Sequence, residues 1–157
     1  MRQKTTLVII SSLISVWLTL PASAFAGLLP ANETQRLATL YIEVKGIDDD
    51  KGQLGLNVFR NEKEMFAHPY RVHFVRIQHR IARLELLQLP PGEYALVAYH
   101  DRNQNGKLDH HFLGYPQEAI AYSGGFHLSL FSGMPTFTKL KFNVLPGVHT
   151  MTLQIDD

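Results

Sequence analysis

The chain has 157 residues, with 15 Lys or Arg against 14 Asp or Glu, a formal net charge of +1 and no cysteine. Balanced charge without a polybasic run argues against nucleic-acid phosphates or an anionic lipid surface as the partner. The missing cysteine excludes disulfide staples and a lipidated N-terminal thiol. The length suits a single domain that buries about two-thirds of its unfolded surface.

The N-terminus reads as a targeting segment and is set aside before the fold is considered. Arg2 and Lys4 form a short basic region, and Leu7 to Leu20 is uncharged and mostly apolar. Pro21 breaks the helix such a run would form. The stretch Ala22-Ser23-Ala24-Phe25-Ala26 then offers small residues at the spacing a signal peptidase reads. Residues 1–26 are therefore expected to be a cleavable signal peptide cut before Gly27, with cleavage after Ala24 as the second choice. The run is shorter than the roughly 20 residues of a spanning helix, so no membrane span is expected in the mature chain. There is no twin arginine, which favours general secretion, and the expected location is periplasmic or secreted. Residues 27–36 read as a mobile leader, and 37–157 as one domain.

Strand signals dominate that domain. Leu40, Ile42 and Val44 alternate with Tyr41, Glu43 and Lys45, a half-buried strand. Asp48 to Gly52 is a polar turn, and Leu54, Leu56 and Val58 form the next inward face. Asn61 to Ala67 suits one helical turn or an irregular loop. Tyr70 to His79 alternates again, and Ile81 to Leu89 holds a further strand with Leu84 and Leu86 inward. Pro90-Pro91-Gly92 is a hard turn, because two prolines remove ladder donors and fix φ. Tyr94 to Tyr99 is nearly all apolar and reads as a central strand covered on both faces. A long loop from His100 to about Pro135 follows. Leu140, Phe142 and Val144 then alternate with Lys139, Lys141 and Asn143, and Met151, Leu153 and Ile155 make the last inward face. About seven strands with turns every 8–12 residues is the pattern of an all-β sandwich. Several strands are too short for an outer-membrane barrel, which needs about ten residues each.

One stretch carries chemical information. Asp101, Asn103 and Asn105 place oxygen side chains at alternate positions, Gly106 follows, and Asp109 closes the set. This matches the first nine positions of an EF-hand-type loop, with oxygens at 1, 3, 5 and 9, the Lys107 carbonyl at 7 and glycine at the sharp reversal. Position 12 is Phe112 rather than a bidentate glutamate, and Glu118 is the nearest later carboxylate. Gly114 and Pro116 are turn residues placed to fold it back. Arg102 and Lys107 lower the local negative charge. The loop is thus a candidate for weak Ca²⁺ binding at about 10⁻⁴ to 10⁻³ M. The same residues also suit a metal-free connection, since Asx side chains cap turns and Asn-Gly favours hairpins.

The run PPGEYALVAYHDRNQNGKLDHHFLGYPQEAIAYS resembles the signature of the domain of unknown function 2141 family of exported bacterial proteins. The matching positions are Leu89 to Gly92, Tyr94, His100 to Asp109, Leu113, Gly114, Pro116, Glu118, Tyr122 and Ser123, with Pro135, Phe137 and Phe142 fitting a later proline-aromatic segment. Ser123-Gly124-Gly125 stands where the family often has Ser-Asn-Asn. The resemblance implies an Ig-like or transthyretin-like sandwich in the envelope and brings no established activity.

Other constellations are weaker. His100, His110 and His111 lie near two aspartates and would suit Zn, Cu or Ni in a metal-dependent enzyme or a metal carrier. They equally suit loop histidines beside a turn, since no fixed ligand spacing is present. Ser123-Gly124-Gly125 lacks the nucleophile elbow of a serine hydrolase and reads as a flexible glycine loop. The acidic residues are too scattered for a glycosidase pair. Phe126, Leu128, Leu130, Phe131 and Met134 form an apolar stretch that suits core, an extra strand or a partner-facing patch. The expectation is a non-enzymatic binding or structural module with a weak Ca²⁺ loop, whose partner is an unidentified protein or envelope component.

Overall fold

The computed structural model describes residues 37–112, 115–129 and 131–155. The expected signal peptide and leader lie outside the described residues, as do Leu113, Gly114 and Leu130.

The described chain is an all-β domain of eight strands in two sheets, with two short helices. Strand β1 (Ala38–Lys45) alternates buried and exposed along its length, as its sequence requires. It is the centre of a three-stranded sheet. Strand β4 (Ala82–Leu89) pairs with it antiparallel, with Leu40 opposite Leu86 and Val44 opposite Ala82. On its other side lies β8 (Gly147–Gln154), parallel and in unbroken register from Ala38–Gly147 to Lys45–Gln154.

The second sheet is built on β2 (Gln53–Phe59) and β5 (Gly92–Asp101), antiparallel, with Gln53 opposite Asp101 and Leu56 opposite Ala98. Strand β3 (Arg71–Val75) extends it at the β2 edge. Beyond β5 lie β6 (Ile120–Tyr122) and β7 (Phe142–Val144), which pair with different stretches of it.

The sheets face each other. Leu40, Ile42 and Val44 of the first share one buried cluster with Leu54, Leu56, Val58, Leu96 and Ala98 of the second. Each such Leu, Ile or Val side chain contributes about 1.5–3 kcal/mol by leaving water. The expected two-sided burial of β5 has a specific cause. Tyr94, Leu96 and Ala98 enter this inner core, whereas Ala95, Val97 and Tyr99 belong to a second core on the outer face of the same sheet.

That outer core is roofed by helix α1 (Glu62–Phe66) and helix α2 (Phe137–Leu140). The Asn61 side chain accepts from the Glu64 amide at 3.0 Å, and the Glu64 carboxylate in turn accepts from the Arg60 amide, so one orphan donor of a five-residue helix is satisfied and the chain's entry to it is fixed. Glu62 accepts from the Phe137 amide at 2.8 Å, which joins the two helices.

Four readings of the sequence need correction. Lys139 and Leu140 belong to α2 rather than to a strand, because Phe137 and Leu140 are one helical turn apart and both enter the outer core. The stretch read as one long loop contains β6, and β5 continues through His100 to Asp101. Ser123-Gly124-Gly125 is not a loose glycine loop at its start. Ser123 is buried, its hydroxyl accepting from the Leu96 amide at 2.8 Å and donating to the Leu140 carbonyl at 2.7 Å. A Cβ on Gly124 would stand 2.7 Å from the Lys139 carbonyl oxygen, so close backbone approach selects glycine there. Finally, Phe126 packs against the outer core, whereas Phe131 and Met134 are exposed, and no described residue from 124 to 135 is in a strand.

Candidate ion-binding loop

The loop begins where β5 leaves the sheet. Asp101 still has a strand partner in Gln53 and is fully buried. Its Oδ1 accepts from the Asn105 amide at 3.1 Å, and its Oδ2 accepts from the Gly106 amide at 2.9 Å and from Gln53 Nε2 at 2.8 Å. A buried carboxylate needs such donors, because desolvation would otherwise cost far more than a surface contact returns. Asp101 therefore anchors the turn, and Gly106 at φ +73° makes the reversal.

Further out, Asn103 and Asn105 both turn their carboxamide nitrogens to Asp109 Oδ2, at 2.8 and 2.9 Å. Their oxygens accept from the Asn105 and Lys107 amides at 3.0 and 2.8 Å, successive Asx turns. Asp109 is held by a short antiparallel return. Its carbonyl accepts from the Gln117 amide at 2.8 Å, the His111 amide donates to the Tyr115 carbonyl at 2.7 Å, and His110 bridges Pro116. The return also brings Glu118 back, so that the Asp109 amide donates to Glu118 Oε2 at 3.3 Å.

The charges follow from this placement. Burial, together with the Asp101 and Asp109 carboxylates, pushes the Glu118 carboxyl above its ordinary value, against amides that favour its ionised form. Burial first, and then Asp101 and Glu118, push the Tyr99 hydroxyl up to about 12. Arg102 is directed elsewhere, 3.2 Å from both Asp48 and Asp49.

Asp101, Asn103, Asn105, Asp109 and Glu118 are thus brought into one hydrogen-bonded neighbourhood, with Lys107 on its backbone path. The histidines do not share a site of this kind. His100 is buried and its Nε2 lies 2.7 Å from the Lys51 carbonyl, whereas His110 and His111 are exposed. Among the described residues, no three His, Cys, Asp or Glu side chains form a metal-holding group. Gln53, Asp48, Asp49 and Lys51 also bear on the loop, yet nothing near residue 101 signals them. They arrive through the pairing of β2 with β5, some 50 residues away in the chain.

Two β sheets around one inner core, with an Asx-rich loop where the central strand ends, define a class of small all-β domain. The chain belongs to the family described as uncharacterized protein conserved in bacteria (DUF2141), whose model matches residues 42–152. No curated protein and no solved structure matches it. Among the described residues, no helix is long and apolar enough to cross a membrane.

Proposed function

We propose that the protein is an exported, non-enzymatic binding or structural module of the bacterial envelope, periplasmic or secreted, whose 101–109 loop takes a weakly held Ca²⁺. The observation that carries the ion is the convergence of both carboxamides on Asp109 Oδ2. A hard cation there would replace two amide donors, and rotation of Asn103 and Asn105 by half a turn about their terminal torsions would present oxygens instead of nitrogens. The Lys107 carbonyl and Glu118 would supply further oxygens, in place of the glutamate missing at loop position 12. The cost of breaking two Asx turns fits an affinity of about 10⁻⁴ to 10⁻³ M.

An Ig-like or transthyretin-like arrangement is part of this reading. Its support is the Tyr94 hydroxyl, which donates to the Pro90 carbonyl at 2.7 Å, a corner of the kind that Ig-type sandwiches use.

The test is a thermal melt in Ca²⁺ against a chelator. With a dissociation constant of about 0.5 mM, about 5 mM Ca²⁺ stabilises by roughly 1.4 kcal/mol, or about 4–6 °C in Tm. Asp109→Ala is expected to melt at one temperature in both buffers. A wild-type Tm indifferent to millimolar Ca²⁺ removes the ion from the proposal.

A further inference from the structure

On the outer face of the five-stranded sheet, between α1 and the segments that follow the Asx loop, lies an open cavity of about 580 Å³. Asn57, Phe59, Val97 and Tyr122 form its floor. Met65, Leu108, Leu128 and Met134 stand in its walls beside His110 and Tyr115, and among the described residues no Asp, Glu, Lys or Arg lines it. We infer that this cavity is a binding site for the acyl chain of an amphiphile, the polar head remaining outside.

Size and chemistry select that ligand. The volume is that of a small-molecule site, which spans about 300–1,000 Å³. A sugar, nucleotide or peptide backbone would leave many hydrogen-bonding groups unpaired against such walls, at a cost an apolar chain does not carry. Two methionines give an adaptable lining that suits a flexible chain.

The surroundings of the mouth point the same way. Two turns flank it, each bearing a phenylalanine with its whole side chain in water: Phe112, 102 % exposed, and Phe131, 98 % exposed. The first precedes Tyr115, and the second precedes Met134, both cavity residues. Near Phe131, Ser129 and Ser132 exchange amide-to-hydroxyl bonds at 2.8 and 3.1 Å, and Lys139 Nζ donates to the Ser132 and Met134 carbonyls. An exposed aromatic beside an apolar mouth favours approach to an apolar medium over water. The site stands on groups other than those proposed for Ca²⁺.

The test titrates the full chain with octanoate, decanoate and dodecanoate below their micellar concentrations, with calorimetric readout in chelator. One-to-one saturable uptake is expected, with affinity falling about fourfold for each methylene removed. Asn57→Phe fills the floor and Met134→Glu puts a charge in the wall. Both are expected to weaken dodecanoate at least tenfold while the far-ultraviolet circular dichroism and the Tm in chelator stay within a few degrees of wild type. Sedimentation with vesicles of phosphatidylethanolamine and phosphatidylglycerol, lost in the Phe112→Ser/Phe131→Ser double variant, assigns the chain to a bilayer lipid. Titration without sedimentation assigns it to a free amphiphile. Absence of saturable uptake for every chain length, or undiminished uptake in both folded cavity variants, overturns the site.

Discussion

Gly55 shows how one missing side chain organises a site. A Cβ there would stand 2.3 Å from Cζ of Tyr99, so the tyrosine ring lies flat against the β2 backbone. That ring occupies the outer core beside the residue where β5 turns into the Asx loop. Gly55→Ala is expected to cost about 1–3 kcal/mol by overpacking, read as a Tm lowered by several degrees. Ser123 makes a different argument. Its hydroxyl satisfies a buried amide of β5 and a buried carbonyl of α2, so Ser123→Ala leaves both short of a partner and is expected to cost about 1–3 kcal/mol in urea unfolding. Glu118 bears on pH. Its carboxyl is raised in the folded state, so the folded protein holds a proton that the unfolded chain has already released. The contribution Glu118 makes to stability is then fully present below the ordinary glutamate value and is lost as pH rises through the folded one, opposite in sense to the lowered Glu43 and Asp50 carboxyls. Glu118→Gln keeps an acceptor for the Asp109 amide and is expected to remove that loss from the Tm measured from about pH 4 to 7 in chelator. An unchanged pH slope would show that Glu118 is not its source.

At the scale of elements, the strands were readable wherever one face is buried and the other wet. β1 and β8 follow their alternation closely, whereas β2 keeps Leu54, Leu56 and Val58 inward but is also covered on its outer face, where Phe59 joins the outer core. The sequence was misleading at 137–144, where one apolar pattern spans two elements. Phe137 and Leu140 follow helical spacing, while Phe142 and Val144 follow strand spacing, and a period-two reading of the end absorbs the helix. β6 was hidden for another reason. Three residues give no period, and only the pairing of Ala121 with Ala98 makes them a strand. The sequence of 61–67 suits one helical turn or an irregular loop, and the Asn61 cap decides for helix α1. Asn61→Ala is expected to cost about 1 kcal/mol and to loosen the Met65 wall of the cavity, seen as faster amide exchange across 62–66. The candidate loop was legible because its residues are contiguous, whereas the cavity was not, since its floor and walls come from β2, β5, β6, α1 and distant loops.

The whole molecule is held by pairings between distant parts of the chain. β1 meets β8 more than 100 residues later, so folding must close long loops before its largest contacts form. Such a topology is expected to fold in milliseconds to seconds rather than microseconds, which stopped-flow refolding would measure. The parallel register of β1 and β8 has a mechanical side as well. Ala38 enters at one end of that pair and Gln154 leaves at the other, so tension applied through the two ends of the domain pulls the strands along their length in opposite directions. Every rung from Ala38–Gly147 to Lys45–Gln154 then bears load together, and none can be peeled away first. A force drawn through this domain meets a clamp rather than a zipper.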